Sequence, residues 1–482
     1  MKNIDINKLK RPIKYGKIPL ELPNNKGDHM FTGLKVQLEI NDTLIDNILP
    51  QDNELIKLKK VLNWEKINSI YKECFHSKRG RATKKTDLSL GLILLKHLYK
   101  KPDRVLIEEL HLNNAYMHFC GLSYDEVARY NREGKKIIDH STLVKIRKRL
   151  GPEKAKAILD AFTSELIDKK IIDGKYLFTD TTSLEKNIIY PTEIGLLSRV
   201  IEEATAVTQK VRYKKDMVKT KVIKKARSIA KVYYSASKKT KKLLKDTSTA
   251  LLSIAKEQVR QASSAVDETA DLVSGSVLRR YRKLNDTGKK ILDQVEAKLG
   301  GIKITGRIVS YYQDHSRALP KGKLSKPCEF GVKLKLDMSG NGYITGHDIY
   351  KGNVSDVSLL SGSVASHARV FGSKFKSGAA DRGFYDEELL EDLQKKYKIS
   401  LAIPHKKDRT KVMTPSKKKL SNKRSAIEAK ISEGKRMCGL DRSLYNGFTG
   451  DRIWAALSVM ALNIRKLLRV MERSPELICK FG

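Results

Sequence analysis

The chain of 482 residues has few cysteines and no cluster of the kind that binds zinc. Its five cysteines include no Cys-x-x-Cys pair and no cysteine–histidine group with metal-site spacing. Because their number is odd and they are scattered, they are predicted to be free thiols in a reducing compartment.

Long apolar segments are also absent. No segment reaches the roughly 18 uninterrupted apolar residues of a transmembrane helix. The N-terminal residues 1–22 lack an apolar run followed by a small-residue cleavage site. We therefore expect a soluble, intracellular protein.

Acidic residues are scarce relative to basic ones. Asp and Glu number 55 against 96 Lys and Arg, which gives a formal net charge of +41. Such an excess would displace counterions from a phosphate backbone, so the composition favours a polyanionic partner bound with strong salt dependence. Charge alone leaves a generally basic proteome or association with the ribosome as alternatives.

The spacing of apolar residues divides the chain into a helical region, a strand-containing region and a basic insertion. In chain order, the predicted parts are an N-terminal arm (1–53), a helical domain (54–168), a strand-containing domain in two pieces (169–194 and 326–472) separated by a basic helical insertion (195–325), and a C-terminal tail (473–482). In the strand-containing domain the predicted order of elements is β, β, β, α, β, α, β, α, α.

The last helix before Gly151-Pro152 has the pattern of a DNA-reading helix. It begins at residues 139–142, where Ser or Thr can cap it. Leu143 and Val144 are expected to face the core, and the outward cations are Lys145, Arg147, Lys148 and Arg149. Its shape suits a major groove as the second helix of a helix-turn-helix, and a solvated amphipathic helix would show the same pattern.

The first half of the insertion is predicted to be one long basic helix with an apolar stripe. The stripe consists of Val211, Val218, Val222, Ile229, Val232 and Ala236. The cations on the other faces include Lys214, Lys215, Lys224, Lys225, Lys238 and Lys239. The second half would pack on the stripe as an antiparallel hairpin. We interpret this hairpin as tracking DNA or forming a dimer, with a passive solvated spacer as the alternative.

Three acidic residues lie where a fold could bring them into one cleft. Asp180 ends the first predicted strand, Asp381 follows the strand of residues 377–380, and Glu428 lies one turn into a helix. A lone carboxylate is usually a solvated surface residue. The surrounding motifs therefore decide whether these three matter.

The motifs around the two aspartates resemble those of the bacterial insertion-sequence transposases. Residues 187–193 read Asn-Ile-Ile-Tyr-Pro-Thr-Glu, close to the Asn-Ile-x-Tyr-Pro-Thr-Asp stretch that follows the first catalytic aspartate in that family. A Gly-Asn-x-x-Asp segment occurs at 352–356, and Asp381 opens an Asp-Arg-Gly-Phe sequence where the family has Asp-Arg-Gly-Tyr. The resemblance extends over nearly the whole chain from about residue 54.

The third acid belongs to the family pattern Tyr-x2-Arg-x3-Glu-x6-Lys. Arg424, Glu428 and Lys435 reproduce its spacing, and Ser421 occupies the tyrosine position. By helical periodicity all three lie on one face. Arg424 is predicted to fork onto a phosphate and Lys435 to add a point charge beside it, although Arg424 could instead form an ordinary surface pair with Glu428.

The resemblance implies an α/β RNase H-like catalytic domain (169–194 and 326–472), with a mixed five-stranded sheet flanked by helices. It also implies a helical N-terminal DNA-binding domain (54–168) and a long helical insertion. It further implies a DNA transposase that binds the terminal inverted repeats of its own element, cuts the strands and transfers them into target DNA. Asp180, Asp381 and Glu428 would hold two Mg²⁺ ions, with Mn²⁺ as a substitute and Asp180 bridging both. Transposon ends and target DNA would be its partners, bound as a homodimer in a bacterial cytoplasm, at the nucleoid.

Two further residues compete for roles in this site. Glu433 lies five residues beyond Glu428, which rotates it off the same helix face. Trp454 could stack on a base, but its helical spacing with Leu457 and Ala461 favours core packing.

Two other functions share part of this pattern. One is a non-catalytic DNA-binding repressor or structural protein descended from a transposase, against which the presence of all three acids argues. The other is a nuclease of the same fold that joins no strands.

Overall fold

The computed structural model of the chain describes residues 49–75, 84–213, 220–269, 273–321, 327–405 and 413–481. Within them a seven-stranded mixed sheet is flanked by helices, and two further groups of helices precede it and interrupt it. Most of the predicted N-terminal arm lies outside the described residues, as do Lys214, Lys215 and Val218.

Helices α1–α7 precede the first strand. Several begin at a side chain that caps the helix; Asn53 and Asn113, for example, each accept a hydrogen bond from a first-turn N–H. The last of them bends at Gly151, whose φ of 67° is left-handed, and Pro152 opens its second half as predicted. The bounds are α1 Glu54–Val61, α2 Trp64–Lys72, α3 Thr86–Leu98, α4 Asp103–Leu110, α5 Asn114–Phe119, α6 Tyr124–Arg132 and α7 His140–Asp168.

Two long antiparallel strands form the middle of the sheet, β1 (Tyr176–Lys186) and β3 (Cys328–Ser339). The other edge of β3 pairs first with β2 (Arg317–Pro320) and then with β4 (Ile344–Tyr350), both antiparallel. These four strands make one half of the sheet.

The other half is parallel. The free edge of β1 pairs with β5 (Ser377–Ala380) and, further along, with β7 (Arg442–Ser443). The strand β6 (Ser400–Ala402) then pairs with β5. Across the sheet the order is therefore β4 or β2, β3, β1, β5, β6. The sheet is mixed as predicted, with two strands more than the predicted five.

Five helices accompany the sheet after β4. Their bounds are α13 Val357–Phe371, α14 Glu387–Tyr397, α15 Pro415–Lys423, α16 Ser425–Met437 and α17 Gly447–Arg473. The long elements follow the predicted order, and the differences are the short strands β2 and β7. Since β2 belongs to the sheet, the chain returns to it before the predicted end of the insertion at residue 325.

The insertion is a bundle of helices rather than one hairpin. The bounds are α8 Glu193–Tyr213, α9 Lys221–Ser235, α10 Lys241–Asp267, α11 Gly275–Lys283 and α12 Lys289–Leu299, the last two joined by the π-helical turn Leu284–Gly288. The prediction of one continuous basic helix is wrong, because the chain becomes extended after α9 and Thr240 caps a new helix. The predicted stripe is also wrong at Val232, which is 58% exposed; α9 instead buries Ile223, Ala226 and Ala230.

Two hydrophobic cores hold the molecule together. One lies within the insertion, from Ile194 to Tyr311. The other runs from Leu55 to Met471 and joins the N-terminal helices to the sheet through α17, which packs against α3, α7 and β4. The predicted boundary at residue 168 therefore divides one shared core and does not separate two.

All five cysteines are free, as predicted. None of the described helices is both long and apolar enough to cross a membrane.

Candidate active site

The sheet brings the two aspartates side by side. Asp180 lies within β1 and not at its end as predicted, because the strand continues to Lys186. In the parallel pairing of β1 with β5, Thr179 lies opposite Ala380, and the next residues of the two strands are Asp180 and Asp381. Asp381 caps the 3-10 turn of residues 382–384 by accepting a hydrogen bond from the Arg382 N–H at 2.7 Å.

An arginine, Arg424, connects Glu428 to Asp180. Arg424 directly precedes α16, which packs against β1. Its guanidinium bridges two of the acids, with Nη1 3.4 Å from Asp180 Oδ2 and Nη2 2.7 Å from Glu428 Oε1. The i, i+4 pair weighed from the sequence is present, and it extends to Asp180.

The electrostatics of Asp180 reflect this setting. The pKa of Asp180 is raised to about 6, chiefly by burial and to a smaller extent by the charges of Asp381 and Glu428. The hydrogen bond from the Thr181 N–H and the charge of Arg424 act in the opposite direction. The prediction that the clustered acids oppose one another's ionisation is confirmed at Asp180.

The carboxylates of Asp180, Asp381 and Glu428 are suitable ligands for a hard cation, but in this structure they are too far apart to share one. Carboxylate oxygens are the ligands that Mg²⁺ prefers. Among the described residues, no three His, Cys, Asp or Glu side chains lie close enough together to hold a metal ion. Positive charge between Asp180 and Glu428 is supplied by Arg424, which would have to leave for a metal ion to be held there.

A cleft of about 640 Å³ opens beside Glu428. Four cations line it, Lys100, Lys321, Lys435 and Arg436, together with Thr182 of β1. Acids neutralise part of this charge, since Lys100 pairs with Asp441 at 2.9 Å and Lys321 approaches Glu329 at 3.6 Å. Glu428 and Lys435 share the cleft, consistent with one helix face.

The predicted DNA-reading helix keeps only part of its basic face. Lys145 and Lys148 are exposed. Arg147 is buried: its Nη2 lies 2.7 Å from Asp103 Oδ2, and its guanidinium lies 4.5 Å from the centre of the Tyr445 ring. The prediction that Arg147 projects toward DNA is therefore wrong, because its charge is satisfied inside the molecule.

Val144 is the converse error, since it was expected in the core and is 37% exposed. In the insertion, Lys224 and Lys225 on α9 and Lys238 and Lys239 just after it are all exposed.

The two competing residues serve the structure. Glu433 forms ion pairs with Lys430 and with Arg469 of α17. Trp454 is buried, donates to the Gly439 carbonyl at 2.7 Å and packs edge-on against His97. Core packing of Trp454 is confirmed.

Sequence reasoning missed a buried charge cluster beside β1. Asp451 of α17 binds the ammonium of Lys186, accepts from Ser443 Oγ at 2.5 Å, and lies 2.7 Å from His315 Nε2. Lys186 and Asp451 are almost fully buried. The partners of Asp451 are distant from it in the chain, so no local pattern of the sequence relates them.

A second missed group surrounds Asp356, the last residue of the Gly-Asn-x-x-Asp segment. Its Oδ1 accepts a hydrogen bond from Thr181 Oγ1 at 2.9 Å and lies 2.7 Å from Lys333 Nζ. The motif marked the residue but gave no partner.

Comparisons with known proteins agree with this architecture. Residues 43–149 match the transposase domain DUF772, and residues 314–464 match the transposase DDE domain. A relative in Rhizobium meliloti, the uncharacterized protein ORF8 in the nfe locus, is 27% identical over 161 residues, which cover 33% of this chain and 74% of the relative. No solved structure matches. The chain belongs to the insertion-sequence DDE transposases.

Proposed function

We propose that this transposase binds the terminal inverted repeats of its own element, cuts the DNA there and transfers the strands into target DNA. The observation that carries the proposal is the register of β1 and β5, which sets Asp180 beside Asp381. Glu428 joins them through the guanidinium of Arg424.

We also propose that the catalytic domain is RNase H-like. Antiparallel strands β4, β3 and β1 followed by parallel β5 and β6 support this fold. The acids lie on its central strand, on the segment after its parallel neighbour, and on a late helix, as the family resemblance implies.

Asp180, Asp381 and Glu428 would hold two Mg²⁺ ions, with Asp180 shared. Bound divalent ions activate a water or 3′-hydroxyl nucleophile and stabilise charge on the attacking and leaving oxygens. The chain's own contribution is orientation: backbone N–H groups of Thr181 and Arg382 each hold one oxygen of the preceding aspartate.

The cleft beside Glu428 would receive the DNA end. Lys435 lines this cleft next to the acid, and its ammonium would contact a phosphate as a point charge. Arg424 would leave the carboxylates of Asp180 and Glu428 and bind a DNA phosphate with both guanidinium nitrogens. The two acids would then be free when the substrate binds. Substrate binding and completion of the acidic site would thereby be coupled.

Exposed lysines would hold DNA outside the cleft. Lys145 and Lys148 would lie along the ends of the element, and Lys224, Lys225, Lys238 and Lys239 would contact the backbone from the insertion. A second copy of the chain would bind the other end, as the family resemblance implies.

The test uses the full chain, Mg²⁺, duplexes carrying the element's own ends, and a target plasmid. Wild-type protein is expected to cut the ends and join their 3′ hydroxyls to the plasmid. Asp180→Asn, Asp381→Asn and Glu428→Gln should each abolish both products while the ends stay bound, because charge-driven binding does not use the acids. Glu433→Gln is the matched control on the same helix and should keep cleavage.

The other outcomes identify the alternatives. Ends that are bound but never cut would show a non-catalytic DNA-binding protein. Ends that are cut without any joined product would show a nuclease.

A further inference from the structure

Asp356 has the position of a helix cap but does not act as one. It directly precedes α13, where an aspartate would normally accept a hydrogen bond from a first-turn N–H, and its side chain makes no such bond. Its Oδ1 instead accepts from Thr181 Oγ1 at 2.9 Å. The carboxylate thus leaves its own helix and contacts the catalytic strand β1, one residue after Asp180.

A buried lysine completes this contact. Lys333 Nζ lies 2.7 Å from Asp356 Oδ1 and donates to the Val354 carbonyl at 2.6 Å. Lys333 is on β3, the antiparallel neighbour of β1, and is itself buried. One ammonium therefore binds both the carboxylate and the loop that carries it, so Asp356 is fixed relative to the two central strands.

The other oxygen of Asp356 faces the second aspartate segment. A Cβ atom placed on Gly383 would lie only 2.9 Å from Asp356 Oδ2. Gly383 is two residues after Asp381, within the 3-10 turn that Asp381 caps. The turn thus packs directly on the carboxylate, and a side chain at position 383 would displace it.

We propose that Asp356 is a positioning residue that sets the separation of Asp180 and Asp381. Its Oδ1 accepts a hydrogen bond from Thr181, the residue after Asp180. Its Oδ2 packs against Gly383, in the turn that follows Asp381. This inference rests on the proposed function, since it gives Asp356 a role in forming the divalent-cation site. It also explains why glycine occupies position 383, where φ is not left-handed and the backbone does not require it.

The primary test measures Mn²⁺ binding to the full chain by electron paramagnetic resonance, without DNA. Asp356→Ala should weaken Mn²⁺ binding about tenfold or more, the range seen when residues that orient metal ligands are removed. Thr181→Val should weaken it in the same direction, and Thr181→Ser, which keeps the hydroxyl donor, should restore it. Asp386→Ala is the matched control, because Asp386 truly caps α14 by accepting from Leu389 N–H.

The variant Gly383→Ala tests the contact between Gly383 and Asp356 directly. Alone, it should weaken Mn²⁺ binding as Asp356→Ala does, because its methyl group pushes the carboxylate away. In the Asp356→Ala background the methyl group meets an empty space, so Gly383→Ala should cause no further loss. Equal, additive losses in both backgrounds would overturn the proposal, as would an equal loss in Asp386→Ala.

Hydrogen–deuterium exchange on the metal-free protein separates this inference from the proposed function. Asp356→Ala should speed amide exchange in the peptides covering β1 and residues 377–385 together, and Asp386→Ala should not. If wild-type protein binds no Mn²⁺ without DNA, Arg424 still occupies the acids, and the titration is repeated with bound transposon ends. No binding there would mean that the metal site of the proposed function fails, and the exchange result alone would then decide the positioning role. Unchanged exchange in both peptides would overturn it.

Discussion

Asp180 is a largely enclosed carboxylate, with 15% of its side chain exposed, and its charge lowers the stability of the metal-free fold. Burial raises the pKa of Asp180 to about 6, above its ordinary 3.8. A raised carboxyl pKa means that the folded state binds the proton more tightly than the unfolded state. Stability therefore falls as pH rises from about 4 to 6 and stays reduced above that range.

Asp180→Asn should accordingly stabilise the metal-free protein at pH 8. A shift of about two pKa units corresponds to an upper value of about 3 kcal/mol, and we expect a gain of about 1–3 kcal/mol in the free energy of unfolding. The gain should largely vanish near pH 4, where wild-type Asp180 is largely protonated too. Urea unfolding at both pH values measures this, with the exposed Asp381→Asn as control; an equal gain at both pH values would contradict it.

The positive charge of Arg424 stabilises the ionised form of the same acids. Because its guanidinium bridges Asp180 and Glu428, it competes with any cation for them. Arg424→Gln should therefore bind Mn²⁺ more tightly than wild type in the absence of DNA, yet cleave bound transposon ends more slowly, because the phosphate fork is lost. Mn²⁺ titration measures the affinity, and single-turnover cleavage measures the rate. Weaker Mn²⁺ binding by Arg424→Gln than by wild type would disprove the competition.

Among the structural elements, the Asp451 cluster joins four segments at one buried point. Its partners lie on β1, on the chain just before β2, and on β7, with Asp451 itself on α17. Burial lowers the pKa of Lys186, and the negative charge of Asp451 opposes that change. The insertion is thus anchored to the sheet through His315 at its C-terminal end.

Asp451→Ala should be strongly destabilising. It leaves the buried Lys186 ammonium without its counter-charge, which typically costs about 3–5 kcal/mol. The exposed Asp160→Ala, which breaks a pair with Lys156 at 3.0 Å, should cost under about 1 kcal/mol. Thermal and urea unfolding compare the two, and similar losses would refute a structural role for the cluster.

Long periodic elements were predictable from the sequence, and their partners were not. The strands β1 and β3 and the helices α13, α14 and α17 each carry enough residues to show a period. The strands β2 and β7, of four and two residues, show no such period, and only their pairing with β3 and β1 identifies them as strands. Arg147 fits a basic helix face in sequence, but its inward direction depends on Asp103, which the local pattern cannot place.

The acidic site shows the same limit. Motifs identified Asp180, Asp381 and Glu428 without any knowledge of the sheet. The bridging position of Arg424 and the contacts of Asp356 arise from distances between segments far apart in the chain. Only the folded chain contains that information.

At the scale of the whole molecule, DNA binding should be strongly salt-dependent. Each phosphate contact contributes about 0.9 to the slope of log K against log salt. Replacing Lys224, Lys225, Lys238 and Lys239 by glutamine should reduce that slope by up to about 4. Fluorescence anisotropy at several salt concentrations measures it.

Two paired lysines of the insertion serve as the control for that experiment. Lys256 is 2.6 Å from Glu296, and Lys298 pairs with Glu193. Their replacement by glutamine should leave the slope nearly unchanged. A slope that falls by the same amount per lysine for the two paired and the four exposed residues would show that total charge, and not this surface, controls binding.

The core shared by the N-terminal helices and the sheet has a consequence for where the DNA is cut. Helices α3 and α7 pack on α17, and α17 packs on the sheet, so one continuous core connects the helix of Lys145 and Lys148 to the strand of Asp180 in the described part of the chain. If these residues bind and cut the element's end as proposed, the number of base pairs from the bound sequence to the cut is fixed by the protein. Inserting half a helical turn of DNA between the recognised sequence and the cut site should therefore stop cutting altogether. A protein whose two domains moved independently would cut at a new position instead.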